Sequence, residues 1–528
     1  MTVYYVSTTG ADTQAGTLGQ PFGSLQHAYD IAQPGDEIQL RGGTYHLTKG
    51  IQLTRSGTSS QPITVTNYAG EVPILDGSAV TTTGNGGYVL DISGAAYNHI
   101  SGLQITGGAE GGVMIRNNAH DNVIQGLDVS HNGRLSEWEG KGFSLFDTSY
   151  NNLLLNNDSH DNRDLRGDNA DGFQIATTGA GNVLRGNRAY NNSDDGFDLF
   201  NVVNGTQSAS VTLDGNWAFH NGYGDGNQRT GDGNGFKLGG QRPGTGTGSG
   251  GHIVTNNVAW DNAASGFDEN QATIPLTLRN NTAYDNGTYN FGFYSLQNTL
   301  ANNLSLGSGQ VSSSGSNSNN SWNLSSPPAT SAVQSLDAAI AEGPRAADGS
   351  LPASGFLVLN GSAGASLGAA AATGAPAVST AVDPTPTPTP VTAGTTVTPT
   401  TTQTDPVPVT VADPPTTPAL TPTTPATTPA AASDTGTPTV GQGAAVDPVT
   451  LVTGDPNGYT AGSSAAALLR GSHGRGYRSH SGWQAVTDTN SQGVGMTNPV
   501  AATPTDPLQL LTEGGQGSCW SVSHHRSA

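Results

Sequence analysis

Short runs in which apolar and polar residues alternate recur along the chain as far as Asn303. Val3-Tyr4-Tyr5-Val6, Asp36-Glu37-Ile38-Gln39-Leu40, Pro62-Ile63-Thr64-Val65 and Val89-Leu90-Asp91-Ile92 each read as a strand. A helical period appears near the start, where Ser24 can cap a short helix whose stripe is Leu25, Ala28, Ile31 and Ala32, ended by Pro34-Gly35. Such a helix predicts a lid over the first coil of a strand stack, whose unpaired backbone would otherwise recruit other chains.

From about residue 120 the pattern becomes a repeat. Asn156-Asn157-Asp158-Ser159-His160-Asp161-Asn162 returns as Gly186-Asn187-Arg188-Ala189-Tyr190-Asn191-Asn192, and again in units closing at Asn221, Asn262 and Asn286. The closing asparagines are 30, 29, 41 and 24 residues apart. An X-Gly-Phe motif accompanies the units, with its phenylalanine at 143, 173, 197, 236 and 267. A β-rich repeat of this length without the Leu-x-x-Leu-x-Leu frame predicts one coil of a parallel β-solenoid. The phenylalanines are then expected to stack inward about 4.8 Å apart, the spacing of hydrogen-bonded strands. The asparagines read as turn formers that tolerate left-handed backbone, carrying the fold and not the chemistry.

The repeats fade after Asn303, and residues 305–370 are expected to finish and cap the solenoid, giving one all-β domain over 1–370. Residues 371–446 collapse into Thr, Pro and Ala, a composition that cannot bury a core and predicts an extended linker. Residues 447–528 are Gly- and Ser-rich and read as a low-complexity, disordered tail.

Composition narrows the function. A net charge of -21 leaves no Lys/Arg cluster to neutralise phosphates, which argues against nucleic acid. The lone Cys519 excludes an intrachain disulfide framework, and no apolar run is long enough to span a membrane as a helix. Met1-Thr2-Val3-Tyr4 reads as strand, without the charged and apolar regions of an export signal.

Three successive motifs differ in a way that points to chemistry: Asp171-Gly172-Phe173-Gln174, Asp194-Asp195-Gly196-Phe197-Asp198 and Asn234-Gly235-Phe236-Lys237. With the phenylalanines in register, Asp171 lies beside Asp195 and Asp198 beside Lys237. Stacked carboxylates repel unless a cation intervenes, and calcium accepts six to eight oxygen ligands in flexible geometry. The histidines, His120, His131, His160 and His220 among them, sit in turn units without zinc-ligand spacing. Lys237 has two readings: a salt bridge to Asp198, or a base taking the C5 proton of a uronic acid whose carboxylate calcium holds. In the second the amine must lose its own proton, which predicts an alkaline optimum.

The run from Asp194 to Asp198, with Asp171-Gly172-Phe173 before it and Gly235-Phe236-Lys237-Leu238-Gly239-Gly240 after it, resembles the family-nine polysaccharide lyases. Tyr4-Tyr5-Val6-Ser7 and Ala347-Asp348-Gly349-Ser350-Leu351-Pro352 resemble that family too, so the similarity covers residues 1–370. The resemblance implies a right-handed parallel β-helix that cleaves pectate with calcium. It implies Asp171, Asp194, Asp195 and Asp198 as calcium ligands, with Asp168 the rival of Asp171, and Lys237 as the base. It also implies export and an acidic polysaccharide as partner, with a monomer expected. Arg229 and Arg242, on the glycine-rich excursion behind the 41-residue spacing, are candidates to hold substrate carboxylates. Asp268, Glu269, Asn270 and Gln271 follow the next X-Gly-Phe and are candidates for further subsites. The competing readings are a lyase or C5-epimerase for another uronate polymer such as alginate, and a non-catalytic solenoid that binds polysaccharide through calcium.

Overall fold

The computed structural model describes residues 1–369 apart from 138, 204, 243–247 and 362–366, together with two short strands near the C-terminus. Among the described residues, the chain from Val3 to Ser318 winds through three parallel sheets of twelve, ten and ten strands. One coil shows the plan. Asn98–Ser101 lies in the twelve-stranded sheet, here sheet one, Gln104–Thr106 in sheet two and Gly111–Arg116 in sheet three, and Val123–Gln125 returns to pair with Asn98–Ser101. Every coil rests its strands on those of the coil before, which makes a parallel β-helix. The linker over 371–446 falls outside the described residues, as does the tail over 447–528 apart from Leu468–Arg470 paired antiparallel with Trp483–Ala485.

The phenylalanine column stacks as its spacing requires. Rings of Phe143, Phe173, Phe197, Phe236, Phe267 and Phe291 follow one another at 4.7, 4.8, 4.7, 4.8 and 5.1 Å, all fully buried. The glycine before each of the first five rings is dictated by crowding: a Cβ on Gly196 would lie 2.6 Å from the Gly235 carbonyl oxygen on the next coil.

The asparagines divide into two jobs. Asn156, Asn256 and Asn280 take left-handed backbone at the tight turn from sheet one to sheet two. Their neighbours are buried in ladders that run from coil to coil. The Asn187 side-chain oxygen accepts from the Asn157 backbone N–H (2.9 Å) and amide (3.0 Å), while its own amide donates to Leu154 O and Asn216 Oδ1 (both 2.9 Å). Leucine has similar volume but none of these groups, so Asn187→Leu orphans buried polar atoms at roughly 1–3 kcal/mol each. A drop of that size in unfolding free energy is expected in chemical denaturation, and an unchanged midpoint would mean the ladder contributes nothing.

The helix Leu25–Ile31 covers the first coil, and the Ser24 side chain accepts from the His27 N–H as its cap. The stripe differs at one position from the spacing: Ile31 is 38% exposed, and Tyr29 is buried in its place because its hydroxyl reaches Arg55 O (2.6 Å) and Asn98 Oδ1 (2.9 Å). The other end departs further from expectation. Trp322 closes the phenylalanine column against Phe291, but residues 333–359 run back along the flank of sheet two instead of capping the end. They cover a stripe the repeat placed outside, Trp217, Phe219, Val258 and Trp260, with Val333, Phe356, Leu357 and Leu359.

A charged clasp fixes this return. The Arg345 guanidinium donates to Asp158 Oδ1 (2.7 Å) and Gly186 O (3.0 Å), and Arg188 joins Asp158 (2.6 Å) to Gly343 O (2.8 Å). Burial pushes the Asp158 carboxyl up, but the Arg188 hydrogen bond and the Arg345 charge more than reverse this, leaving its pKa below the usual value. A lowered carboxyl pKa stabilises the fold above about pH 4 and loses that contribution as pH falls through the folded value. Arg345→Ala is expected to cost less than the roughly 3–5 kcal/mol of a buried charge left alone, because Arg188 remains. It is also expected to open residues 343–352 to protease, which limited proteolysis at neutral and acid pH would read.

Candidate active site

The connections from sheet two to sheet three and the first residues of the sheet-three strands build the site. Alternation along a strand places the residue after each inward phenylalanine on the opposite face. That column runs Gln174, Asp198, Lys237, Asp268 in direct register. Two residues before each phenylalanine a second column forms, Lys141, Asp171, Asp195, Asn234 and Ser265. It is set by hydrogen bonds from the intervening glycines: Gly142 N to Asp171 O and Gly172 N to Asp195 O (both 3.0 Å), then Gly196 N to Asn234 O and Gly235 N to Ser265 O (both 2.8 Å).

Carboxylates from both columns converge. Oxygens of Asp171, Asp195 and Asp198 lie within 4.8 Å of one another, and so do those of Asp194, Asp195 and Asp232, with Asp195 common to both groups. Asp171, Asp194, Asp195 and Asp198 are all fully buried. Asp195 Oδ1 accepts from the Asn234 N–H (2.6 Å) and amide (2.9 Å), Asp171 Oδ1 from the Asp195 N–H (3.1 Å), and Asp198 Oδ1 from the Phe200 N–H (2.8 Å). Burial and then the charges of Asp195, Asp171 and Asp232 drive the Asp194 pKa well above the carboxylate range. A dense set of hard, anionic oxygens under mutual repulsion is the donor chemistry that suits a calcium-sized cation.

Lys237 faces this wall. Its Nζ is 3.2 Å from Asp195 Oδ2 and 2.7 Å from Asp232 Oδ2, with 1% of its side chain exposed. Ion pairs thus form with Asp195 and Asp232, and the charge of the register neighbour Asp198 also acts on the amine. Burial presses the Lys237 pKa down, and the charges of Asp195, Asp232, Asp198 and Asp194 together raise it well above its ordinary value.

The remaining candidates scatter around this core. Asp168 pairs with Arg166 (3.2 Å) and stands outside both carboxylate groups. Arg229 lies on the connection before Phe236–Lys237, where its Nη2 donates to Asp232 O (3.2 Å). Arg242 lies on the connection after that strand, its N–H bonded to Asn201 O (3.1 Å). The two arginines thus sit on separate excursions, not on one. Asn270 spends its amide on Gly239 O (3.0 Å), and its N–H caps Asp268 Oδ1 (2.7 Å). Burial pushes Asp268 up to about 6. Glu269 is buried and accepts from Asn298 Nδ2 (2.8 Å), the Tyr294 N–H (3.1 Å) and the Ser295 hydroxyl, so it braces a turn. Gln271 is exposed with left-handed backbone in that connection.

Two residues escape sequence reasoning. Lys141, whose Nζ is 3.1 Å from Glu139 and 3.9 Å from Asp171, holds the X position of the preceding X-Gly-Phe, and extending that column one coil earlier would have found it. Asp232 lies between glycines in the long excursion, where no repeat position exists to assign it.

The family model described as "Pel9A-like, right handed beta helix region" matches residues 4–308. The curated pectate lyase PEL9 of Emericella nidulans is 36% identical over 67% of this chain and 91% of its own length. Pectate lyase L of Dickeya dadantii is 31% identical over 66% and 82%. Among solved structures, pectate lyase Pel9A superposes with a TM-score of 0.58 at 29% identity over 69% of this chain and 90% of its own, and a rhamnogalacturonan lyase with 0.57 at 25% over 68% and 96%. The chain is a polysaccharide lyase with a right-handed parallel β-helix fold. Within that class, the chain belongs to the Pel9A-like right-handed β-helix family, polysaccharide lyase family nine.

Proposed function

We propose that this lyase cleaves polygalacturonate by β-elimination, with Asp171, Asp194, Asp195 and Asp198 as the calcium ligands and Lys237 as the base. The observation that supports it best is the Lys237 Nζ only 3.2 Å from Asp195, the carboxylate common to both acid groups. Bound among these oxygens, calcium would draw charge from a uronate carboxylate and so acidify the hydrogen on C5.

The chain supplies the rest. Lys237 Nζ, after losing its own proton to solvent, takes the C5 proton, the electron pair left behind forms the C4–C5 double bond, and the C4–O bond to the departing sugar breaks, its oxygen then gaining a proton from water. Phe236 and the crowded Gly235 fix the lysine's backbone by stacking and close coil contact, so the amine approaches from one direction. Arg229 and Arg242, on either side of the Lys237 strand, are the candidates to hold neighbouring carboxylates in the polymer by forked hydrogen bonds. A polymer of this kind is cut where it lies, which places the enzyme outside the cell.

The test is direct. Polygalacturonate is expected to yield a product with near-ultraviolet absorbance from the new conjugated double bond, and chelator is expected to abolish it. The rhamnogalacturonan lyase among the structural neighbours supports a second substrate, the alternating rhamnose–galacturonate backbone. A panel of polygalacturonate, rhamnogalacturonan and alginate separates the readings. Activity on polygalacturonate that survives chelation would remove calcium from the scheme, and activity on alginate alone would remove pectate.

A further inference from the structure

Lys237 is held by two carboxylates that differ in origin. Asp195 comes from the acid wall and belongs to both candidate ligand groups, whereas Asp232 arrives on the connection that precedes the lysine's own strand. A cation drawing on Asp195 would weaken that ion pair and shift the amine's hold toward Asp232. A lysine stem released into several rotamers would then lose its aim, since rotamer entropy favours disorder.

The connection is built to prevent that. Thr230 Oγ1 (2.7 Å) and the Gly231 N–H (3.0 Å) both donate to Ser193 O, the Asp232 N–H donates to Asp194 Oδ1 (2.5 Å), and the Asn234 N–H donates to Asp195 Oδ1 (2.6 Å). With the Asn234 amide to Asp195 Oδ1 (2.9 Å), five hydrogen bonds stitch residues 230–234 onto Ser193, Asp194 and Asp195. Glycine at 231 is required for this approach, because a Cβ there would meet Asp194 Oδ1 at 2.2 Å. Arg229 adds a bond to Asp232 O (3.2 Å). None of these bonds uses the Asp232 carboxylate, whose Oδ2 meets the amine at 2.7 Å, shorter than the 3.2 Å to Asp195.

We infer that Asp232 is a positioning residue that keeps the Lys237 amine aimed at the acid wall when a cation draws on Asp195. This rests on the reading of Lys237 as the base. It assigns Asp232 a different role from the wall carboxylates, even though its oxygen groups with those of Asp194 and Asp195.

The experiment compares Asp232→Ala and Asp232→Asn with the parent full-length enzyme. Readouts are kcat and KM on polygalacturonate, and the dissociation constant of calcium alone, measured by calorimetry without substrate. Asp232→Ala is expected to lower kcat by roughly 10–100-fold, the scale of a catalytic group displaced by about an ångström, with KM little changed. Asp232→Asn is expected to recover part of that loss, because its amide oxygen still accepts from the amine. Calcium affinity is expected to change by less than about tenfold in both, that is by less than 1.4 kcal/mol. An unchanged kcat in Asp232→Ala overturns the inference, and so does a larger loss of calcium affinity, which would make Asp232 a ligand. If Lys237→Ala itself keeps full activity, the underlying reading fails; if that variant is inactive while Asp232→Ala is fully active, this inference alone fails.

Discussion

Lys237→Ala is expected to lower kcat on polygalacturonate by roughly 10²–10⁴-fold, the range that a positioned general base contributes. Calcium affinity is expected not to weaken, because the substitution removes a positive charge that competes for Asp195 and Asp232. The two readouts together are informative. A lysine that merely neutralised the acid wall would, when removed, leave turnover intact at saturating calcium, since the ion would take over its work. A base leaves turnover lost however much calcium is added. The parent stability is expected to fall in chelator, where the buried carboxylates of Asp171, Asp195 and Asp198 repel one another without the ion, and to return with calcium by mass action.

Asp195→Asn is the second large effect, and it falls on the other variable. Asparagine keeps the oxygen that accepts from the Asn234 N–H and amide, so the local fold survives. The charge common to both acid groups is gone. Calcium affinity is expected to drop by about 100-fold or more, equivalent to about 2.8 kcal/mol. Excess calcium is expected to restore part of kcat, because Lys237 remains and Asp232 still holds it. Titration calorimetry and the absorbance assay across calcium concentrations would show both, and an unaltered affinity would exclude Asp195 as a ligand.

How far the sequence foretells this molecule depends on whether a residue sits inside the repeat. Phenylalanines at a recurring interval, each behind an obligatory glycine, define both the coil and its register, so the facing of Asp198 and Lys237 follows from counting. The acid column is legible for the same reason. The asparagines are legible only in part, because one residue type serves both the left-handed turn at Asn156 and the buried ladder through Asn157, and only backbone conformation and the ladder hydrogen bonds tell them apart. Ile31 and Tyr29 exchange roles because a tyrosine hydroxyl with two buried acceptors outweighs helical periodicity.

Outside the repeat, legibility fails for a physical reason. Asp232 reaches the amine through an excursion whose path is set by backbone bonds to Ser193 and Asp194, which no spacing encodes. Arg229 and Arg242 look like neighbours in a glycine-rich stretch, yet the strand Phe236–Lys237 runs between them. The return of residues 333–359 along sheet two depends on Asp158, more than 180 residues earlier, finding Arg345. The outward aromatics Trp217, Phe219 and Trp260 were the available signal, since exposed rings in every coil require a cover.

One diffraction experiment bears on the whole proposal: crystals of Lys237→Ala soaked with calcium and a short oligogalacturonate, with the ion located by anomalous scattering. The expected map shows the ion among the oxygens of Asp171, Asp194, Asp195 and Asp198 and a uronate carboxylate, with the C5 hydrogen of that sugar pointing at the place the Lys237 amine occupies in the parent. An ion bound elsewhere, or a sugar whose C5 turns away from that place, would contradict it.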